Sequence, residues 1–249
     1  MKLTELFQNQ KPLIGMIHTN CTSACTALEL AKREIEIYLK YGIYPLIENY
    51  FGSSADCEEV LAWMQKEHPD TIYGVNILGD CREAFRLAKQ YGVKFIQIDS
   101  VCGHLSPKED EMYAKLLGQL RQDNDFVLLG GVRFKYQMVR SGRSLEEDLK
   151  LGAERCDVIV CTGEGTGQPT PFGKVQEFKA VLGDFPVIVG AGVTLDTIQE
   201  TFRLSDGAIV GSWFKDGHRD TGNVNEEYVC QMMEKCDQRR HDVQKEKMK

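Results

Sequence analysis
Short apolar runs begin near residues 13, 44, 72, 95, 126, 158, 187 and 208, and stretches with helical periodicity fill the intervals between them. Leu13 to Ile17 ends at His18, Tyr44 to Ile47 at Glu48 and Asn49, and Ile72 to Ile77 carries Asn76 near its end. Phe95 to Ile98 reaches Asp99, Phe126 to Phe134 carries Gly130, Gly131 and Arg133, and Val158 to Cys161 runs into Thr162. Helical segments are expected from about Ala24 to Tyr41 after a polar loop with Thr22 and Ser23, and up to His68 behind Ser53, Ser54 and Asp56 as caps. Others run from Asp80 to Tyr91, Lys108 to Gln122, Ser144 to Arg155 and Asn225 to about Gln238. Eight strand–helix alternations call for parallel pairing with right-handed crossovers. They favour closure into one (β/α)8 barrel over residues 1–237, followed by a charged tail at 238–249 that is expected to fray; an open doubly wound sheet is the alternative.

The last two units differ from the rest. Val187, Ile188 and Val189 break into Gly190, Ala191 and Gly192, with Thr194 expected as a helix cap, and Ala208, Ile209 and Val210 break into Gly211 and Ser212. A strand, a tight turn and a helix start leave backbone N–H groups facing outward, and glycine lets an anionic oxygen approach them. In (β/α)8 barrels the seventh and eighth strand ends often hold phosphate. Gly190, Ala191, Gly192, Gly211 and Ser212 are therefore the candidate phosphate-binding residues, with Lys215 as an added charge; the bland alternative is that these glycines only permit tight connections.

Barrel active sites sit at the C-terminal strand ends. The polar residues expected there are His18, Glu48, Asn49, Asn76, Asp99, Arg133, Lys135, Thr162 and Glu164. Parity puts Gln97 and Asp99 on one face of their strand, and Arg133 and Lys135 on one face of theirs, opposite the apolar positions. Glu48 shares a face with Leu46, which makes its aim harder to read. Two carboxylates near a lysine pull their pKa values apart, as a general acid and base require, so Glu48, Asp99 and Lys135 are the catalytic candidates. A plain ion-pair network is the rival. Lys135 is open to three roles: Schiff-base amine, transition-state cation or phosphate partner. Thr162 to Pro171, rich in Gly, Thr and Pro, reads either as a lid or as an ordinary connection.

Composition narrows this only a little. The 249 residues, 42 % hydrophobic and 27 % charged, are those of a globular chain without a membrane-length apolar run. A formal charge of −7 argues against nucleic acid or an anionic membrane surface as partner. The 9 cysteines read as free thiols, and with no secretory segment in view the cytoplasm is the expected location. His18, Cys21 and Cys25 match no established metal spacing. No cofactor is expected; a divalent metal at Glu48 and Asp99 and homo-oligomerisation are left open.

The ordered pieces Ile14-Gly-Met-Ile-His18, Ile47-Glu-Asn-Tyr-Phe-Gly52, Gly74-Val-Asn-Ile-Leu78, Phe95-Ile-Gln-Ile-Asp99, Thr162-Gly-Glu-Gly-Thr-Gly167, Val189-Gly-Ala-Gly-Val-Thr194 and Asp206-Gly-Ala-Ile-Val-Gly211 resemble the BtpA family. That resemblance implies a TIM barrel of the ribulose-phosphate-binding type and a phosphorylated-sugar-like ligand; one group of the family is associated with photosystem I biogenesis. Glu48, Asn49, Asn76 and Lys135 match the family pattern. This chain departs from it at Thr19-Asn20-Cys21 in place of a Pro-rich segment, at Gly130-Gly-Val-Arg-Phe-Lys135 in place of Ala-Asp-Val-His-Val-Lys, and at Asp99, where the family often has Asn. The leading expectation is an enzyme doing isomerase- or lyase-type proton transfer on a phosphorylated sugar or phosphoribosyl compound. Glu48 is then the base, Asp99 or Lys135 stabilises the enediolate, and His18, Asn49, Asn76, Arg133, Thr162 and Glu164 contact substrate. A non-catalytic barrel that binds a phosphometabolite or a partner protein is the alternative.

Overall fold
The computed structural model describes residues 2–8, 10–21, 25–122 and 124–247, those beyond 237 by their backbone alone; Thr22, Ser23 and Ala24 lie outside the described residues. A short helix α1 (Leu3–Leu6) precedes β1 (Leu13–His18), and then α2 (Ala27–Lys40), β2 (Tyr44–Glu48), α3 (Ser54–Glu67), β3 (Gly74–Asn76), α4 (Cys81–Tyr91) and β4 (Phe95–Cys102) follow. The second half holds α5 (Pro107–Leu120), β5 (Val127–Val132), α6 (Leu145–Arg155), β6 (Val158–Cys161), α7 (Phe172–Leu182), β7 (Val187–Val189), α8 (Ile198–Leu204), β8 (Ala208–Val210) and α9 (Glu226–Lys247). The strands pair in chain order and β8 pairs back on β1, all in parallel, so the sheet is the expected closed (β/α)8 barrel. α9 carries helical backbone on into the charged segment after residue 237.

Helix starts follow local chemistry. Thr26, Ser53 and Ser144 each accept a hydrogen bond from the backbone N–H three residues on, and the acidic side chain there accepts one from the cap's own backbone N–H; Asp80 caps α4 by accepting the Glu83 N–H. The expected cap at Thr194 is displaced. α8 begins at Ile198 behind Thr197, whose Oγ1 accepts the Thr194 N–H at 2.9 Å, so the β7 corner leads into a turn before the helix.

Two apolar layers result from the strand period of two. Between barrel and helices lies the larger core, including Ile17, Ile47, Val75, Ile96, Ile98, Ile159 and Val187. Inside the barrel lies a second cluster of Ile14, Met16, Leu46, Phe95, Leu129, Val160, Ile188 and Ile209. Phe7 plugs its N-terminal mouth, its ring 4.5 Å from Tyr44 and 5.8 Å from Phe95. Leu46 is thus an interior residue, and Glu48, two positions on, shares its inward aim. The β4–β5 pairing shifts register between Ile98 and Cys102, where β4 runs past Asp99.

Candidate functional site
Above the interior apolar layer, at the C-terminal mouth, the barrel holds a cavity of about 420 Å³ lined by His18, Glu48, Gln97, Asp99 and Lys135 on one side. The other side is Gly190, Ala191, Gly192, Val193, Gly211 and Ser212, with Trp213 and His218 beside them. The acids and the glycine corners therefore share one space.

Glu48 is 7 % exposed, and its Oε1 accepts a hydrogen bond from Asn76 Nδ2 at 2.8 Å. The same nitrogen donates to Asp99 Oδ1 at 3.1 Å, and Gln97 Nε2 donates to that oxygen at 3.1 Å. Asn76 thus bridges two carboxylates that sit on strands separated by its own. Burial, and then the Asp99 charge, push the Glu48 carboxyl up to about 7. The oxygen Oε2 lies 3.5 Å from His18 Nε2. This contact is not an ion pair: burial, with Lys215 nearby, holds His18 down at about 3, so its imidazole is neutral at physiological pH. Its Nδ1 lies 3.0 Å from the Asp220 carbonyl oxygen, which only accepts; the proton therefore sits on Nδ1, and Nε2 offers a lone pair to a protonated Glu48.

Lys135 lines the same cavity, its Nζ donating to Thr166 Oγ1 at 3.2 Å. The β6–α7 loop that carries Thr166 folds over the mouth: Thr166 N donates to Tyr136 Oη at 2.6 Å and Thr170 Oγ1 to the Ala191 carbonyl at 2.9 Å. Gly192 has φ +63°, and a Cβ there would lie 2.1 Å from the Gln168 carbonyl oxygen; both facts restrict the position to glycine. Among the described residues the amides of Gly192, Val193, Ser212 and Trp213 have no hydrogen-bond acceptor. Anion recognition here would come from the corner amides themselves, because the helix dipole expected behind Thr194 starts only at Ile198.

Four expected contacts are elsewhere. Arg133 was placed in the lumen by parity, but β5 ends at Val132, and at Arg133 the backbone takes φ +47°. Its guanidinium swings outward and donates to buried Asp148 at 2.9 Å and to the Arg143 carbonyl at 2.7 Å. Asn49 accepts the Leu78 N–H through Oδ1 at 2.7 Å and so pins the β3–α4 loop. Thr162 accepts the Lys135 N–H and yields its carbonyl to Lys174 Nζ, which positions Lys135 without reaching the cavity. Glu164 lines a separate depression with Arg133, Lys174 and Glu177. The ion-pair rival is correct for Arg133 and does not describe Glu48 and Asp99, which meet amides and a neutral imidazole.

Lys215 is 2 % exposed, its pKa lowered by burial, and its Nζ lies 3.5 Å from the Asp220 carbonyl oxygen that also holds His18. Asp220 itself escaped the sequence reading. It reaches the site because its carbonyl faces His18 and its carboxylate accepts Tyr50 Oη at 3.3 Å, and the one local signal was the Lys215–Gly217 turn after the second glycine corner. Among the described residues no group of three His, Cys, Asp or Glu side chains is placed to hold a metal ion. All nine cysteines are free thiols. No described helix is long and apolar enough to cross a membrane.

Residues 66–238 match the model of the BtpA family. The chain belongs to the BtpA family. Similar proteins include an uncharacterized protein of Thermococcus kodakarensis, 28 % identical over 250 residues covering 90 % of this chain and 95 % of the relative. Another is the photosystem I biogenesis protein BtpA of Synechocystis, 25 % identical over 252 residues covering 91 % of this chain and 86 % of that one. Among solved structures the fold is similar to the tryptophan synthase alpha subunit of Legionella pneumophila, with TM-score 0.65, 13 % identity and coverage of 95 % of this chain and 97 % of that chain. It is also similar to phosphoribosyl anthranilate isomerase of Thermus thermophilus, with TM-score 0.59, 12 % identity and coverage of 90 % and 98 %. At such identities the likeness is one of fold.

Proposed function
We propose that this BtpA-family barrel binds a small phosphorylated sugar or phosphoribosyl compound and moves a proton on it in isomerase- or lyase-type chemistry. The phosphate would lie on the amides of Gly192, Val193, Ser212 and Trp213, the Gly190 N–H being taken by the Cys161 carbonyl at 2.8 Å, with the sugar reaching across the cavity to Glu48. Glu48 would take a proton from a carbon next to a carbonyl. Lys135 would supply the cation that the developing oxyanion needs, and the Asn76-held Asp99 would accept a hydroxyl hydrogen of the sugar. Neutral His18 would orient the Glu48 carboxyl, its Nε2 accepting a hydrogen bond from the protonated acid. The observation that carries the reading is a buried carboxyl pushed up to about 7 in the same cavity as the unpaired corner amides. An acid near neutrality is matched to both giving and taking a proton at physiological pH.

A second reading uses the same grip without turnover, in an assembly or regulatory factor. The similarity to the Synechocystis photosystem I biogenesis protein favours it, as do the exposed apolar side chains of Phe51, Tyr136, Met138 and Val139. Solvent deuterium incorporation into ribose 5-phosphate, ribulose 5-phosphate and phosphoribosyl amines, followed by mass spectrometry, separates the two. Exchange that disappears in Glu48→Gln supports proton transfer; phosphosugar binding with no exchange in the wild-type protein supports the second reading.

A further inference from the structure
A second cavity of about 300 Å³ opens between the β3 and β4 strand ends and the start of α4, and it meets the first at Leu78 and Asp99. In a ring of eight strands, β3 and β4 stand across the axis from β7 and β8, so a ligand with its phosphate on the glycine corners points its other end here. The walls carry polar atoms that the fold does not use. Ser100 is 4 % exposed, yet its Oγ has no partner among the described residues; only its backbone carbonyl is taken, by Tyr113 Oη at 3.1 Å. His104 lies on the same wall, and its buried Nδ1 likewise has no partner there. Asp80 and Asp99 add carboxylates to the same walls.

This is an acceptor-rich hollow. An anion would be repelled by the two carboxylates, and an apolar group would leave the Ser100 and His104 atoms unpaired. Groups bearing N–H donors suit the carboxylates and Ser100 Oγ. We propose that this second cavity holds a donor-bearing heterocycle attached to the phosphorylated sugar. The substrate class is then a phosphoribosyl compound with an N–H-rich ring, and not a bare sugar phosphate. This assignment rests on the phosphate reading above for its orientation.

Calorimetric titration of the full chain with ribose 5-phosphate, guanosine 5′-monophosphate and guanosine tests it, the guanine ring offering adjacent N–H donors. Guanosine 5′-monophosphate is expected to bind about tenfold tighter than ribose 5-phosphate. Ser100→Ala and His104→Phe, each first checked for an unchanged thermal transition, are expected to remove that advantage and leave ribose 5-phosphate affinity as it was. Equal affinities for the two phosphates, or an advantage that survives both variants, would overturn the assignment while leaving the phosphate site intact. Guanosine binding that both variants abolish, with no binding of either phosphate, would keep the heterocycle subsite and sink the phosphate site. Binding of none of the three removes both.

Discussion

Glu48→Gln should make the protein more stable in alkali while removing its proton transfer. The wild-type carboxyl ionises near 7 in the folded chain and near 4.5 in the reference state. Between those values the folded protein keeps a proton that the unfolded chain has released, so this group's contribution is full at acid pH and is lost as pH rises through about 7. At roughly 1.4 kcal/mol per unit, the loss is about 3 kcal/mol once Glu48 is ionised. Glutamine mimics the protonated acid: Oε1 still accepts from Asn76 Nδ2, and Nε2 can donate to the His18 Nε2 lone pair. The experiment is urea unfolding of both proteins from pH 5 to pH 8. His18 titrates with the opposite sign, its cost appearing as pH falls toward 3, but it is present in both proteins and drops out of the difference. The variant should gain about 2–3 kcal/mol on wild type between pH 5 and pH 8, or ~5–10 °C in melting temperature for a chain of this size. A stability difference that does not move with pH would refute the assignment of a perturbed carboxyl to Glu48.

Other consequences follow from the same geometry. Gly211→Asp should abolish the thermal stabilisation by inorganic phosphate or ribose 5-phosphate, which at 100 times the dissociation constant is roughly 2.7 kcal/mol. A Cβ at Gly211 meets Met16 no closer than 3.5 Å, so the added carboxylate tests charge and not packing, and an unchanged shift would exclude the corner as the anion site. Arg133→Ala should cost about 2–3 kcal/mol in denaturant unfolding, because fully buried Asp148 keeps Arg143 and Ser141 but loses one cation. Ligand affinity measured by calorimetry should stay at the wild-type value; a large loss would return Arg133 to the binding site.

Strand existence, order and the mouth that carries chemistry were legible because short apolar runs, buried on both faces, end in polar residues at one mouth of the barrel. Apolar Ile14 and Met16 lead to His18, Leu46 leads to Glu48, and Phe95 and Gln97 lead to Asp99, so counting by twos from the interior layer reaches the cavity. The count fails where the backbone leaves the extended region. Left-handed φ at Arg133 turns out a side chain that parity puts inside, and no local signal marks a non-glycine residue for that conformation. Gly131 is fixed by crowding: a Cβ there would lie 1.9 Å from the Asp99 carbonyl oxygen and 2.4 Å from the Phe134 ring, so Asp99 and Phe134 occupy the space. The β6–α7 loop, Asp220 and Lys215 join the site through contacts between segments far apart in sequence, and their roles become readable only once the barrel is closed.

The acids also bear on which of the two readings of the cavity is stronger. A barrel that only grips a phosphorylated molecule needs the corner amides and a cation such as Lys135. It gains nothing from a second carboxylate beside a buried first one, and Asp99 is among the groups that raise Glu48. Nor does it need Asn76 to hold the two together, or a neutral His18 whose free nitrogen faces the carboxyl. The buried carboxyl and its Asp99 neighbour work against the stability of the fold, by about 3 kcal/mol for Glu48 at alkaline pH. Core packing offers no reason to retain them, since a leucine or glutamine at position 48 would be cheaper. The proposed proton transfer would give one, because it requires an acid whose two protonation states are both populated near neutrality. Gain of stability with loss of exchange in one substitution is therefore the signature that distinguishes a working acid from a buried relic.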